Sequence, residues 1–301
     1  MKLPLITKLI GFHSGVEVEQ LYPWYKTPES QFLEIEGMSL HYRVTGKGPA
    51  LVLIHGVMSS VHTWSGWHDY LSNNFQVISF DVPSFGLTGP HPKGDYTIEM
   101  YMRIVDALLD HLGIEQCYMA GNSFGGFITW HYALHKPKRL HKIILLDAAG
   151  IGANPQDIQL LTFKLFITPF VKYFAHRFTP KFVLKDSLKV VYGNPSKITP
   201  AIEQTYWHLL LRKGNREGFT EVLGKTILNG KNHQSQIEKI TVPTLIMWGE
   251  QDHLIPVKDA STFHRLIAGS QMIIYKGIGH IPMEEISERS AMDAQAFLLN
   301  E

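Results

Sequence analysis

Ser123 lies in the stretch Gly121-Asn122-Ser123-Phe124-Gly125-Gly126. An apolar run, Gln116 to Ala120, leads into it, and a run of helical character, Phe127 to Leu134, leads out. A strand turning sharply into a helix around G-x-S-x-G is a nucleophile elbow. The serine takes a strained backbone conformation there, and side chains at positions 121 and 125 would crowd the turn. Its oxygen is held clear of the sheet, beside a helix N-terminus that favours negative charge. A serine hydroxyl is a poor nucleophile until a base takes its proton, and the base needs an orienting carboxylate. The sequence offers 16 histidines for the first role. Position singles out His280, in Gly277-Ile278-Gly279-His280-Ile281-Pro282, and Asp252, in Trp248-Gly249-Glu250-Gln251-Asp252-His253. Both follow strand-like runs, and the chain order is Ser…Asp…His.

These residues need a scaffold. Gln31 to Gly37 and Ser39 to Thr45 read as a hairpin that turns at Gly37-Met38. Continuous apolar runs follow at Ala50–Ile54, Gln76–Phe80, the elbow strand, His141–Leu146, Thr244–Trp248 and Gln271–Tyr275. Helical stretches lie between them at Thr97–Leu112, Phe124–His135 and Lys258–Ile267, with a last helix from about Met283 to Leu299. Continuous apolar strands alternating with helices predict a parallel sheet covered on both faces. Catalysts in such sheets gather at the carboxyl ends of the strands, where Ser123, Asp252 and His280 all fall.

The roughly ninety residues between Gly150 and Thr241 are far more than a crossover needs, which predicts an inserted subdomain. Phe163, Phe166, Phe170, Phe174 and Phe178 recur there at spacings of three or four. They line one helical face, bent or divided at Pro169. The stripe is expected to pack the insert onto the body, with Phe163 and Phe166 as candidates for lining a substrate pocket. Trp64 and Trp67 are further candidates for the pocket or its gate, Trp64 for substrate binding.

Composition narrows the field. The chain has 301 residues, 45% hydrophobic and 18% charged, as a globular enzyme does. A net charge of +1 implies no nucleic-acid partner. Cys117 is the single cysteine, so no internal disulfide is possible; it is expected to be buried packing, and its solitude fits a reducing, cytoplasmic compartment. Leu3 to Phe12 is apolar but interrupted by Pro4 and Lys8, too short for a membrane span and without a signal-cleavage pattern. It reads as an arm docked on the body; the sharper alternative is membrane contact or closure over the active site. No H-E-x-x-H and no Cys/His cluster is present, so neither a metal nor another cofactor is expected.

With these pieces in order, the chain resembles a capped α/β-hydrolase from about Gln31 to the C-terminal helix. The likeness rests on His55-Gly56, Asp81-Val82-Pro83-Ser84-Phe85-Gly86-Leu87-Thr88, the elbow, Trp248-Gly249-Glu250-Gln251-Asp252 and Gly279-His280. It implies a predominantly parallel eight-stranded sheet with helices on both faces and a helical cap over the site. In domain terms, it implies an arm over 1–30, a core of 31–150 and 226–301, and a cap over 151–225. Asp147 is the rival to Asp252, because some family members carry the acid on that strand; Glu250 is read as structural. His55 is expected to hold the loop after its strand. The oxyanion donors are the backbone N–H groups of Phe124, which follows the nucleophile, and, by resemblance, Val57. Ser84 stands where similar sequences commonly have glycine.

The resemblance is nearest to esterases, lipases and carbon–carbon bond hydrolases. It implies hydrolysis of small apolar acyl or aryl esters. Cleavage of a diketone-type carbon–carbon bond and ligand binding without turnover are the alternatives. A serine at the elbow, where epoxide- and halide-processing relatives use aspartate, argues against those chemistries.

Overall fold

A computed structural model describes residues 15–151, 164, 168–228 and 234–300. Its frame is one eight-stranded sheet: β1 (Ser30–Ile35), β2 (Met38–Thr45), β3 (Ala50–Ile54), β4 (Gln76–Phe80), β5 (Cys117–Asn122), β6 (Leu140–Leu146), β7 (Thr244–Gly249) and β8 (Gln271–Tyr275). The strand order is β1-β2-β4-β3-β5-β6-β7-β8. β1 pairs antiparallel with β2, as does β2 with β4, and every other neighbouring pair is parallel. The reading of a predominantly parallel eight-stranded sheet holds.

Burial explains why the central strands are continuously apolar. Leu51 and Leu53 of β3 enter one apolar cluster, and Val52 and Ile54 enter the other. Alternate side chains leave opposite faces, and here both faces are covered. The first helices are α1 (Val18–Tyr25), α2 (Ser65–Leu71), α3 (Ile98–His111) and α4 (Phe124–His135). Between β6 and β7 come α5 (Pro169–Ala175), α6 (Lys181–Val191), α7 (Pro200–Leu210) and α8 (Asn215–Val222). The chain then adds α9 (Lys258–Leu266), α10 (Pro282–Glu285) and α11 (Ser287–Leu299).

Two expectations are corrected. The last helix is broken at Ile286, which has φ −137° and ψ 50°. The Glu285 side chain just before the break accepts from the backbone N–H groups of Gly193, Asn194 and Gly279. The phenylalanine stripe does not pack α5 onto the body: Phe170, Phe174 and Phe178 are exposed, and α5 buries no residue. Pro169 begins that helix, in the first-turn position where its missing N–H costs nothing. Phe163 and Phe166 lie outside the described residues. So does the arm up to residue 14, and no described helix is long and apolar enough to cross a membrane.

Candidate active site

Ser123 sits between β5 and α4 with φ 56° and ψ −117°. Such a conformation costs an L-residue about 1–3 kcal/mol, so the surroundings must enforce it. The Ser123 N–H donates to Leu146 O at 3.0 Å, and Ser123 O accepts from Phe127 N and Ala149 N, each at 3.0 Å. The glycines permit the approach. A Cβ on Gly121 would fall 2.2 Å from Gly125 O, and one on Gly125 would fall 2.0 Å from Ile54 O. The loop after β3 also closes on the serine, since a Cβ on Gly56 would sit 2.9 Å from Ser123 Cβ. Val57, the next residue, is half-buried, and Met58 takes a φ of +58°.

His280 follows β8, and Asp252 follows β7. His280 Nδ1 and Asp252 Oδ2 are 2.7 Å apart and buried. A carboxylate only accepts, so Nδ1–H donates and Nε2 keeps its lone pair. The other carboxylate oxygen of Asp252 accepts from Leu254 N at 2.7 Å and Ile255 N at 2.9 Å. The His280 backbone is fixed at both ends: its N–H donates to Val191 O at 2.7 Å, and its carbonyl accepts from Asn122 Nδ2 at 2.9 Å. Asn122, next to Ser123, therefore holds the elbow and the histidine loop together.

Asp147 is fully buried beside this pair, with φ 44°. Its Oδ1 accepts from Gly249 N at 2.8 Å. Ligand atoms of Asp147, Asp252 and His280 lie within 4.8 Å of one another. Burial, and then the neighbouring Asp252 charge, push the Asp147 carboxyl well above the carboxylate range. It stands next to the carboxyl that holds His280 and makes no contact of its own with the imidazole.

Neighbouring loops are pinned by buried polar groups. His55 Nδ1 donates to Gly56 O at 2.7 Å, and its Nε2 accepts from Val82 N at 2.9 Å. It holds the loop after β3, as its position implied. Burial lowers its affinity for a proton, which keeps that donor–acceptor pattern. Asp81 accepts from His41 Nδ1 and Leu87 N at 2.7 Å and from Val61 N at 2.8 Å. Burial alone would raise this carboxyl, but His41, His55 and the Leu87 N–H together outweigh it and hold it down at about 2. Ser84 has φ 90°, which explains why glycine suits that position. Glu250 Oε2 accepts from Gly277 N at 3.0 Å, a structural contact.

Trp64 is corrected. It is completely buried, edge to face with the equally buried Trp67 at 5.1 Å, and belongs to the core instead of a pocket. The side chains that do line a cavity, of about 200 Å³, include Met58, His62, Thr63, Tyr206, Leu209 and Glu284. Glu284 Oε1 accepts from Thr63 Oγ1 and Tyr206 Oη, both at 2.5 Å, and Oε2 accepts from Tyr192 Oη at 2.6 Å. Sequence reasoning missed Asn122, Glu284 and Glu285. The partners that reveal them are far away in the chain, and no spacing rule reaches that far.

With the geometry in place, similarity to known proteins becomes informative. The sequence pattern described as the α/β hydrolase fold matches residues 49–285, so the chain belongs to that family. A curated relative, 2-hydroxy-6-oxo-6-phenylhexa-2,4-dienoate hydrolase of Comamonas testosteroni, is 24% identical across 82% of this chain and 86% of its own. A putative lipase from Acinetobacter baumannii AYE superposes with a TM-score of 0.78 at 23% identity, covering 99% of this chain and 97% of its own. A meta-cleavage product hydrolase from Pseudomonas fluorescens IP01 gives the same TM-score of 0.78 at 21% identity, covering 89% and 97%. At such identities the solved structures establish the fold alone.

Proposed function

We propose that the protein hydrolyses carboxylic esters through an acyl-enzyme on Ser123. The observation that carries this reading is the buried 2.7 Å contact between His280 Nδ1 and Asp252, on strand ends next to a strained elbow serine. Ser123 Oγ attacks the acyl carbon as its proton passes to His280 Nε2. Asp252 fixes the imidazole and balances the charge that forms on it. The tetrahedral oxyanion is held by the backbone N–H groups of Val57 and Phe124. Phe124 is the first residue of α4, so no helical carbonyl claims its N–H. One donor of this kind contributes about 3–4 kcal/mol in the transition state. His280 returns the proton to the departing alkoxide. It then takes a proton from water, whose hydroxide attacks the acyl carbon, and gives that proton to the departing Ser123 Oγ as the acid is freed.

In this reading residues 151–225 form a helical cap on a core of 31–150 and 226–301, and 1–30 form an arm. The cavity at Met58, one residue past Val57, lies beside the loop that carries the proposed oxyanion donor; neither Ser123 nor His280 is among its lining residues.

A second reading, carbon–carbon bond cleavage, draws on the name of the Comamonas relative. Its dienoate substrate carries a carboxylate. Turnover should be measured on nitrophenyl esters of graded acyl length and on 2-hydroxy-6-oxo-6-phenylhexa-2,4-dienoate, with Ser123→Ala as control. The ester reading expects the highest kcat/KM on an ester. A higher value on the dienoate would replace it with the second reading.

A further inference from the structure

Helix α5 is turned inside out. Lys172 pairs with Glu221, and His176 Nε2 meets Thr220 Oγ1 at 2.8 Å, so its polar side faces the protein at α8. Its aromatic side faces solvent: Phe170 is 74% exposed, Tyr173 56%, Phe174 46% and Phe178 40%. Spacings of three and four place Phe170, Tyr173 and Phe174 on one face of the helix, and Phe178 follows three residues past its end. Their rings form a continuous surface, with Phe170 4.9 Å and Tyr173 5.6 Å from Phe174. A ring as open as Phe170 is not lining a closed substrate cleft. A soluble helix normally has the reverse arrangement, so something apolar is required on this face.

The charges indicate what that is. The whole chain balances 28 basic residues against 27 acidic ones. Residues 168–191 carry Lys172, Arg177, Lys181, Lys185 and Lys189 against Asp186; Lys172, Lys185 and Lys189 are ion-paired with Glu221, Glu203 and Asp186, which leaves Arg177 and Lys181 as the cations beside the aromatic face. Arg177 lies 4.1 Å over the Tyr173 ring, at the edge of the aromatic face. Exposed Phe182 continues the pattern between Lys181 and Lys185. A second copy of the chain would bring the same basic residues opposite one another. Rings flanked by cations instead match an anionic lipid surface, where aromatics enter the acyl boundary and cations meet the headgroups.

We propose that the α5 face, with the start of α6, docks on an anionic bilayer surface. Docking does not depend on which bond Ser123 attacks. It does have a route to the site, because Val191, the last residue of α6, accepts the His280 N–H at 2.7 Å.

The test is co-sedimentation of the full chain with sucrose-loaded vesicles. One set is phosphatidylcholine alone; the other is equal parts phosphatidylcholine and phosphatidylglycerol. Binding is expected to favour the anionic vesicles and to weaken as salt is raised. Phe170→Ser with Phe174→Ser should lower partition at least about tenfold, since each ring contributes a transfer free energy of that order. Arg177→Glu with Lys181→Glu should lower it by roughly fivefold or more per charge lost, on anionic vesicles only. All four positions are exposed, so circular dichroism should be unchanged. No sedimentation with either vesicle would overturn the proposal. So would equal binding to both, or undiminished binding of Phe170→Ser/Phe174→Ser. A dimer of the natural chain that this same variant dissolves would give the face to a second copy instead.

Discussion

The strain at Ser123 and the two acids behind His280 carry the account at the residue scale. A φ of 56° on a serine persists only because the turn is over-determined by Leu146, Phe127, Ala149 and two glycines. Asp252 and Asp147 are both buried, yet their roles separate by contact. Asp252 touches the imidazole, whereas Asp147 accepts from Gly249 N and is pushed by burial towards its protonated form. Asparagine is nearly isosteric with a protonated aspartic acid but cannot replace a carboxylate that orients an imidazole. Asp252→Asn should therefore lower kcat by about 10⁴-fold, as loss of an orienting acid does. Asp147→Asn should stay within about tenfold of the natural enzyme. Steady-state kinetics on the best ester would check both, and an equal collapse in the two variants would refute the assignment. The placement of Ser123, His280 and Asp252 at strand ends was legible because each follows a strand in a distinctive local pattern. Trp64 was misread because an aromatic near the site looks the same in sequence whether it lines a pocket or fills the core.

Among the elements, the joint between α6, the His280 loop and α10 is the least visible in sequence and the most consequential. Glu285 is buried, and its carboxylate accepts three backbone N–H groups, from Gly193 and Gly279 at 3.0 Å and from Asn194 at 2.8 Å. It thereby fastens the residues before His280 to the end of α6. Removing it leaves buried donors unpaired, each costing about 1–3 kcal/mol. Glu285→Ala is expected to lose roughly 3 kcal/mol or more in urea unfolding and to lower kcat more than it raises KM. A variant of natural stability would deny Glu285 this clamping role. Strands β3 to β8 were legible from continuous apolar runs, and α3, α4 and α9 from helical pattern and boundary residues. The break at Ile286 was not, because it answers to Glu285 partners some 90 residues away, not to a local helix breaker.

At the scale of the whole molecule, folding stores neutral histidines in polar niches inside the core. His68 lies between Thr45 Oγ1 at 2.7 Å and Ser79 Oγ at 2.8 Å. Burial, reinforced by the Arg43 charge, lowers its pKa from 6.5 to about 3. Between those values the unfolded chain binds a proton that the folded chain excludes. Stability is then fully present above pH 6.5 and falls as the pH drops, by up to about 1.4 kcal/mol per pH unit for such a group. Asp81, held down at about 2, adds a loss in the same direction below about pH 4. Urea unfolding between pH 7 and pH 4 should show this decline, and a flat profile would contradict it. The layered fold followed from the patterning of apolar runs, whereas the outward aromatic face of α5 did not. A periodic stripe reveals which residues share a side but not whether that side faces protein or solvent. The central claim, an activated nucleophile at Ser123, is tested most directly by treating the folded protein with a fluorophosphonate and mapping the adduct by mass spectrometry. The account predicts one adduct, on Ser123, abolished by His280→Ala; no adduct, or one on another residue, would contradict it.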